Sequence, residues 1–130
     1  MKNLLLTIIV LASIGGCTHL SEIHYQITAE DNSEFTEEDL TKISEYLVKE
    51  QDKEKINGKT QYYLSRGSGG IAPTDILTIE KNEKGLKFSV TRLSDFKGFS
   101  KSWIEKFENG SKQIVEYSTA KKVMVVKINE

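Results

Sequence analysis

The feature that most constrains this chain is an apolar stretch at its N-terminus, followed by two glycines and the only cysteine of the sequence. Lys2 supplies a positive charge, residues 4–11 are almost all apolar, and the glycines at 15–16 precede Cys17. A charged start, a short apolar run and small residues at a cleavage point are the plan of a secretory signal peptide. Removal of residues 1–16 from the 130-residue chain leaves 114 residues to fold. With a single cysteine, those residues must be held together without an internal disulfide.

The residues around the cysteine resemble the lipobox of bacterial lipoproteins. The common lipobox reads Leu, then Ser or Ala, then Gly or Ala, then Cys, and the matching residues here are Ile14, Gly15, Gly16 and Cys17. Gly16 is standard in its position, Ile14 is an accepted aliphatic residue, and Gly15 is small but less usual. The resemblance implies that Cys17 is lipidated, with a diacylglyceryl group plus an N-acyl chain in many bacteria, and becomes the first residue after cleavage.

Two other interpretations of the N-terminus are a transmembrane anchor and a plain secretory signal. The apolar stretch 4–14 has eleven residues, whereas a spanning helix needs about 20. A plain signal would leave Cys17 as a free thiol in an oxidising compartment. Lipidation is sufficient for anchoring because each buried methylene group contributes about 0.8 kcal/mol. We therefore predict a signal peptide at 1–16, then lipidated Cys17 with a short tether at 17–22.

The residue after the cysteine bears on localisation. Thr18, not Asp, occupies the second mature position. The lipoprotein resemblance then implies sorting to the outer membrane if the host is Gram-negative. The expected localisation is the bacterial cell envelope, with the membrane as a partner through the lipid on Cys17.

Residues 23–130 are predicted to form one domain, and the family resemblance does not extend to them. Because Lys2 is lost with the leader, 17 basic and 19 acidic side chains remain, a net charge of −2. Nucleic-acid binding would favour a basic face, so no nucleic-acid partner is expected. A chain of this length can bury one modest core.

Hydrophobic periodicity predicts an α+β domain. The predicted strands are 23–29, 75–81, 86–93 and 121–128, and the predicted helices are 37–51 and 96–117. The segment 60–66 is a doubtful additional strand. Asn109-Gly110 lowers helix propensity by about 1 kcal/mol or more, so 96–117 is either one kinked helix or two short ones.

Without the doubtful strand, the element order is βαββαβ, the ferredoxin-like arrangement. This order predicts an antiparallel sheet of about four strands with both helices on one face. The final strand, 121–128, is apolar on both faces, and we expect it inside the sheet.

The most acidic segment, residues 30–39, carries six carboxylates: Glu30, Asp31, Glu34, Glu37, Glu38 and Asp39. A calcium loop would need an Asp and Asn rhythm and a glycine that are missing here. The segment instead fits a helix start, with Thr36 as N-cap and Asp39 three residues later, where a capping box usually has Glu or Gln. Carboxylates in a first turn are also favoured by the helix dipole. We therefore interpret the segment as a helix start and predict no metal site.

The residue types that catalysis requires are scarce. The two histidines are His19, in the predicted tether, and His24, on the outward face of the first strand. A zinc site would lack nitrogen and sulfur ligands, and no serine lies in a motif such as GxSxG. The spacing of the acids singles out no pair for glycoside hydrolysis. We therefore predict no catalytic residue, no cofactor and no enzymatic activity.

One surface is predicted to contact a partner. Tyr62 and Tyr63 lie close to Arg66 and to the glycine-rich run at 67–70. That run lacks the spacing and the lysine of a phosphate-binding loop, so we interpret it as a connector. Exposed Tyr and Arg are enriched at the centres of interfaces. The alternative is that Tyr62 packs in the core.

These features together predict a small membrane-anchored envelope lipoprotein that serves as a non-enzymatic binding or accessory module. Its partner would be an envelope protein or a cell-wall component. One alternative is an inhibitor or immunity-type protein that acts through an acidic loop such as 30–38. A further alternative is a small cell-wall hydrolase with an acidic pair.

Overall fold

A computed structural model describes residues 19–50, 52–56, 59–65 and 73–129 of the chain. Its elements, in chain order, are β1 (His19–Ala29), α1 (Glu37–Glu50), β2 (Asp52–Ile56), β3 (Lys59–Ser65), β4 (Thr74–Asn82), β5 (Gly85–Ser94), α2 (Lys101–Thr119) and β6 (Val123–Ile128). Neighbouring strands all pair antiparallel. The predicted α+β class, an antiparallel sheet with two helices, is confirmed.

The described strands form one six-stranded sheet in the order β2-β3-β4-β5-β1-β6. The sheet therefore differs from a simple four-stranded ferredoxin-like sheet. The difference is a hairpin, β2 and β3, between α1 and β4. β3 contains most of the doubtful strand 60–66. β2 is absent from the predicted elements because its sequence, Asp-Lys-Glu-Lys-Ile, has no apolar alternation.

The position of the last strand differs from the prediction. β6 lies at the edge of the sheet, where it pairs with β1, and is not an interior strand. Val123 is buried in the core, whereas Met124 is 51% and Val126 is 56% exposed on the opposite face. The apolar residues on both faces of β6 therefore reflect a core contact on one face and an exposed apolar surface on the other.

The core lies between the helices and one face of the sheet. Ile43 and Leu47 of α1 and Val115 of α2 belong to one buried cluster with side chains of the sheet. The sheet contributes Ile23, Tyr25, Ile27, Leu77, Leu86, Phe88, Val90 and Val123, among others. Because both helices contribute to this cluster and contact each other, they pack on the same face of the sheet.

Tyr25 lies at the centre of this core. Its ring packs against Phe107 of α2, with ring centroids 5.4 Å apart. Burial, together with the negative charge of Glu108, raises the pKa of the Tyr25 hydroxyl far above its ordinary value. The hydroxyl therefore stays neutral at physiological pH.

The first strand also begins earlier than predicted, at His19 and not at Ile23.

Local signals explain where both helices begin. The Thr36 hydroxyl accepts a hydrogen bond from the Asp39 amide (3.1 Å), and the Thr36 amide donates to the Asp39 carboxylate (2.9 Å). This reciprocal pair is the predicted capping box, with Asp in place of Glu. At α2, the Ser100 hydroxyl accepts from the Trp103 amide (3.1 Å). α2 continues without interruption through Gly110, so the segment contains a single helix, but that helix begins at Lys101 and not at residue 96 as predicted.

The β4–β5 hairpin depends on a glycine. Asn82 pairs with Gly85, and Glu83 and Lys84 form the turn between them. Gly85 has φ +142°, and a Cβ at this position would overlap the carbonyl oxygen of Ile27 in the neighbouring strand. Only glycine combines this backbone conformation with so close an approach to β1.

We expect Gly85→Ala to lower the free energy of unfolding by about 3 kcal/mol, because the new methyl group must displace β1 backbone and strain φ. Gly110→Ala is the matched control, since open space surrounds that helical position. It should raise stability by about 1 kcal/mol. Urea unfolding followed by circular dichroism measures both changes. Equal effects of the two substitutions would contradict the close approach at Gly85.

Candidate functional site

Of the residues predicted to contact a partner, the structure describes Tyr62 and Tyr63. Cys17 and Arg66 lie outside the described residues. Tyr62 and Tyr63 are consecutive on β3 and therefore point to opposite faces of the sheet. Tyr62 is buried in the core, and its hydroxyl donates a hydrogen bond to Ser44 of α1 (2.9 Å). Tyr62 is therefore a core residue, as the alternative interpretation has it. Tyr63 lies half-buried on the other face.

His24 is part of a polar row that crosses four strands on the face opposite the helices. Register places His24 beside Ser89, Ser89 beside Thr78, and Thr78 beside Gln61. A hydrogen bond of 2.8 Å joins His24 Nδ1 and Ser89 Oγ, and Gln61 Nε2 donates to Thr78 Oγ1 (3.3 Å). His24 is buried, not exposed as expected for an outward-facing residue.

A carboxylate on the same face of β1, two residues before His24, lies near the histidine. Glu22 Oε1 lies 3.9 Å from His24 Nε2, so Ser89, His24 and Glu22 are the residue types of a nucleophilic triad. The Glu22–His24 separation exceeds a hydrogen-bond distance. We interpret the row as cross-strand hydrogen bonding between buried polar side chains. Gln61 Oε1 is its one member atom that is buried without a hydrogen-bond partner among the described residues.

A pocket of about 640 Å³ opens at the C-terminal end of β1. It lies between the loop that leads into α1 and the turn that joins β4 to β5. Its lining residues are Thr28, Asn32, Ser33, Glu34, Phe35, Lys81, Asn82, Glu83, Lys84 and Gly85. The volume is within the range of ligand sites, and the lining offers amide, hydroxyl, carboxylate and ammonium groups. We call this the distal pocket.

Hydrogen bonds fix both walls of the distal pocket. On the hairpin side, the amides of Asn82 and Gln26 exchange two hydrogen bonds (2.8 and 3.1 Å), and the Asn82 side-chain oxygen also accepts from the Lys84 amide (3.1 Å). On the loop side, Lys121 Nζ donates to the Ser33 hydroxyl (3.1 Å) and the Glu34 carbonyl (3.0 Å). Both walls of the pocket are therefore held by hydrogen bonds within the chain itself.

Both acidic and basic side chains are exposed at the distal pocket: Glu34 and Glu83 line it together with Lys81 and Lys84, and further carboxylates lie in the segment 30–38. Glu30, Asp31, Glu34, Glu37 and Glu38 are all exposed, whereas Asp39 is turned inward as part of the capping box. Hydrogen bonds from Ser33 hold the pKa of the Asp31 carboxyl below its ordinary value. Lys81 and Lys42 pair with Glu37 (3.5 Å) and Glu38 (3.4 Å). The acidic residues found in the sequence thus serve as a helix start and also present charge at one end of the sheet.

A different cluster occupies the opposite end of the sheet, where β1 begins. Arg92 of β5 forms a bidentate pair with Asp75 of β4, with N–O distances of 2.7 and 2.8 Å, and both side chains are almost fully buried. The guanidinium lies over the rings of Phe99 and Trp103, at 4.5 and 5.0 Å from their centroids. Its remaining Nη1 donates to the Gly98 carbonyl (3.3 Å).

These contacts hold the loop between β5 and α2 in place. The Gly98 amide donates to the Ser21 hydroxyl at the start of β1 (2.8 Å), and the Phe96 amide donates to the Ser94 hydroxyl (3.1 Å). Gly98 has φ +84°, a left-handed conformation that favours glycine. The Phe96 side chain, in contrast, is 73% exposed.

Sequence patterns could not reveal the distal pocket or the Arg92 cluster. The two walls of the pocket come from segments about fifty residues apart, and Asp75 and Arg92 meet only because β4 and β5 form a hairpin in the observed register. The available local signals were the turn at 82–85 and the acidic segment at 30–39. These signals predict a hairpin and a helix start, and each of the two forms one wall of the pocket. They do not predict that the two walls lie side by side.

No protein-family model, curated protein or solved structure matches this chain. Among the described residues, no helix is both long enough and apolar enough to cross a membrane. The same part of the chain contains no group of three or more His, Cys, Asp or Glu side chains that could hold a metal ion.

We expect Asp75→Ala to destabilise the protein by about 3–5 kcal/mol, because it leaves the Arg92 charge buried without its partner. Lys81→Ala is the control, since it removes an exposed ion pair and should cost less than about 1 kcal/mol. The double variant Asp75→Leu with Arg92→Met should recover most of the lost stability. Thermal unfolding measures all three. Equal losses for Asp75→Ala and Lys81→Ala would show that the buried pair has no special role.

Proposed function

We propose that this protein is a small lipoprotein of the bacterial cell envelope, anchored by lipid on Cys17, whose domain binds a partner without catalysing a reaction. The observation that carries the proposal is the lipobox-like sequence Ile14-Gly15-Gly16-Cys17 after a short apolar run. The structure adds that β1 begins at His19, only two residues after Cys17. The domain would therefore sit directly on the membrane surface, which is the outer membrane if the host is Gram-negative.

The direction of β1 favours the distal pocket as the partner-binding site. β1 has 11 residues and, at about 3.3 Å per residue, is roughly 35 Å long. Its N-terminal end follows Cys17, and its C-terminal end reaches the distal pocket. An anchor at Cys17 would hold one end of the sheet at the membrane and allow the distal pocket to face away from it.

The loop that forms one wall of the distal pocket favours a basic partner. Glu30, Asp31 and Glu34 are exposed in one loop beside the pocket, and this loop lies within the acidic segment considered for an inhibitor or immunity-type protein. An envelope protein or cell-wall component with a basic surface would match it. The inhibitor is the second candidate function, and it uses the same surface.

We also propose that the fold is a ferredoxin-like sandwich enlarged by the β2–β3 hairpin. The strands β4, β5, β1 and β6 are consecutive in the sheet, and α1 and α2 each follow one of the strands that such a sandwich requires. The hairpin extends the sheet beyond β4. This fold hosts many functions and does not itself indicate the ligand.

We expect the protein purified from membranes to begin at Cys17 and to carry added acyl mass. Cys17→Ala should abolish both the processing and the membrane association, because the lipid supplies the anchoring energy. Intact mass spectrometry and membrane fractionation measure these outcomes. An unmodified Cys17, or a Cys17→Ala variant that still fractionates with membranes, would contradict the proposed anchor.

We expect a photo-crosslinking residue at Asn32, in the distal pocket, to capture one envelope partner of defined mass in cells. The charge reversals Asp31→Lys and Glu34→Lys should reduce the yield at least severalfold, because they oppose a basic surface. The same crosslinker at Gln113, an exposed position on α2, is the control. Equal products from both positions, or a yield insensitive to charge reversal, would argue against the distal pocket as the binding site.

A further inference from the structure

We infer that the loop between β5 and α2 is a second membrane contact. Phe96 enters the interfacial region of the bilayer, and Lys97 and Lys101 contact anionic lipid headgroups. We call residues 95–101 the membrane loop. The inference rests on the proposed lipid anchor at Cys17 and assigns that anchor a second, non-covalent contact.

The sheet places the membrane loop beside the anchor. His19, the first residue of β1, lies directly opposite Ser94, the last residue of β5. Phe96 is two residues beyond Ser94, and Cys17 is two residues before His19. Chain geometry therefore limits the separation of the Cys17 and Phe96 Cα atoms to about 20 Å. A lipid on Cys17 brings this end of the domain to the bilayer surface.

The exposure of Phe96 does not come from a loosely held loop. The Phe96 amide is bound to Ser94 Oγ, the Gly98 amide to Ser21 Oγ, and the Gly98 carbonyl to Arg92. Phe99, three residues later, packs with Trp103 at 4.6 Å between centroids. Phe99 is thus fixed against the domain, whereas the Phe96 side chain points outward and is 73% exposed. An outward aromatic side chain at this position is suited to the bilayer interface.

The charges of the membrane loop match an anionic bilayer. Lys97 and Lys101 are exposed on either side of Gly98, and Asp95 is the only acid of residues 95–101. Basic residues next to a membrane anchor are attracted to anionic lipids over about a Debye length. At the other end of β1, the segment 30–38 carries five exposed carboxylates and no lysine. The charges and the position of the anchor thus favour the same orientation of the domain, with the membrane loop toward the bilayer. Because the lipid on Cys17 would keep the domain at a membrane, the bilayer is the proposed partner of this loop.

The experiment uses the full-length lipoprotein reconstituted into vesicles of phosphatidylethanolamine and phosphatidylglycerol. Phe96→Cys is labelled with a thiol-reactive nitrobenzoxadiazole dye, and lipids carrying a doxyl quencher report contact with the bilayer. Tyr117→Cys is the matched control, because Tyr117 is an 80% exposed aromatic residue near the other end of α2. The unsubstituted protein is a labelling control, since lipidation consumes its only thiol.

We expect severalfold stronger quenching at position 96 than at position 117. The charge reversals Lys97→Glu and Lys101→Glu should reduce the quenching at 96 in anionic vesicles while the protein remains anchored. Equal quenching at 96 and 117 in a protein that stays on the vesicles would overturn the membrane loop and leave the lipid anchor intact.

Two further outcomes are distinguishable. A dye at 96 that is shielded from aqueous iodide but not quenched by doxyl lipid would show that a protein covers the loop, which also overturns the inference. Labelling of the unsubstituted protein would reveal a free Cys17 thiol, and the proposed anchor would then fail together with the inference drawn from it.

Discussion

The buried pair of Asp75 and Arg92 joins the parts of the structure that sequence order keeps apart. The carboxylate belongs to β4 and the guanidinium to β5, and the same guanidinium contacts the Gly98 carbonyl and the rings of Phe99 and Trp103. Burying two charges is costly unless geometry and hydrogen bonds compensate. Here the bidentate contact and the ring faces supply that compensation. One arginine thereby fixes the hairpin, the loop after it and the start of α2 in a single arrangement.

Because that cluster lies at one end of β1 and the distal pocket at the other, the sheet has two chemically different ends. The end with Arg92 combines buried charge, stacked aromatic rings and exposed lysines. The end with the distal pocket combines amides, hydroxyls and an acidic loop on one wall with the exposed lysines Lys81 and Lys84 on the other. A single continuous strand connects them. β1, an inner strand beside the edge strand β6, therefore also sets the distance and the direction between the two candidate contact surfaces.

Sequence reasoning succeeded where the cause was local. The capping box at Thr36 and the hairpin around Gly85 depend on residues a few positions apart, so their patterns predict them. The same reasoning did not predict features that depend on residues far apart in the chain. β2 is charged along its length, and only its pairing with β3 makes it a strand. The apolar pattern of β6 predicts an interior strand, but topology places it at the edge. The distal pocket depends on β1–β5 register, which no local pattern encodes.

The order of strands in the sheet also determines when the fold can form. β1 is synthesised first, yet its neighbours are β5 and β6, which are synthesised last. Nine residue pairs join β1 to β5 between Ile27↔Leu86 and His19↔Ser94, across 59 to 75 positions of chain. Such long-range pairing makes folding slow compared with that of helical domains. β1 must therefore remain without its sheet partners until β5 has been synthesised, and the sheet around β1 cannot form earlier.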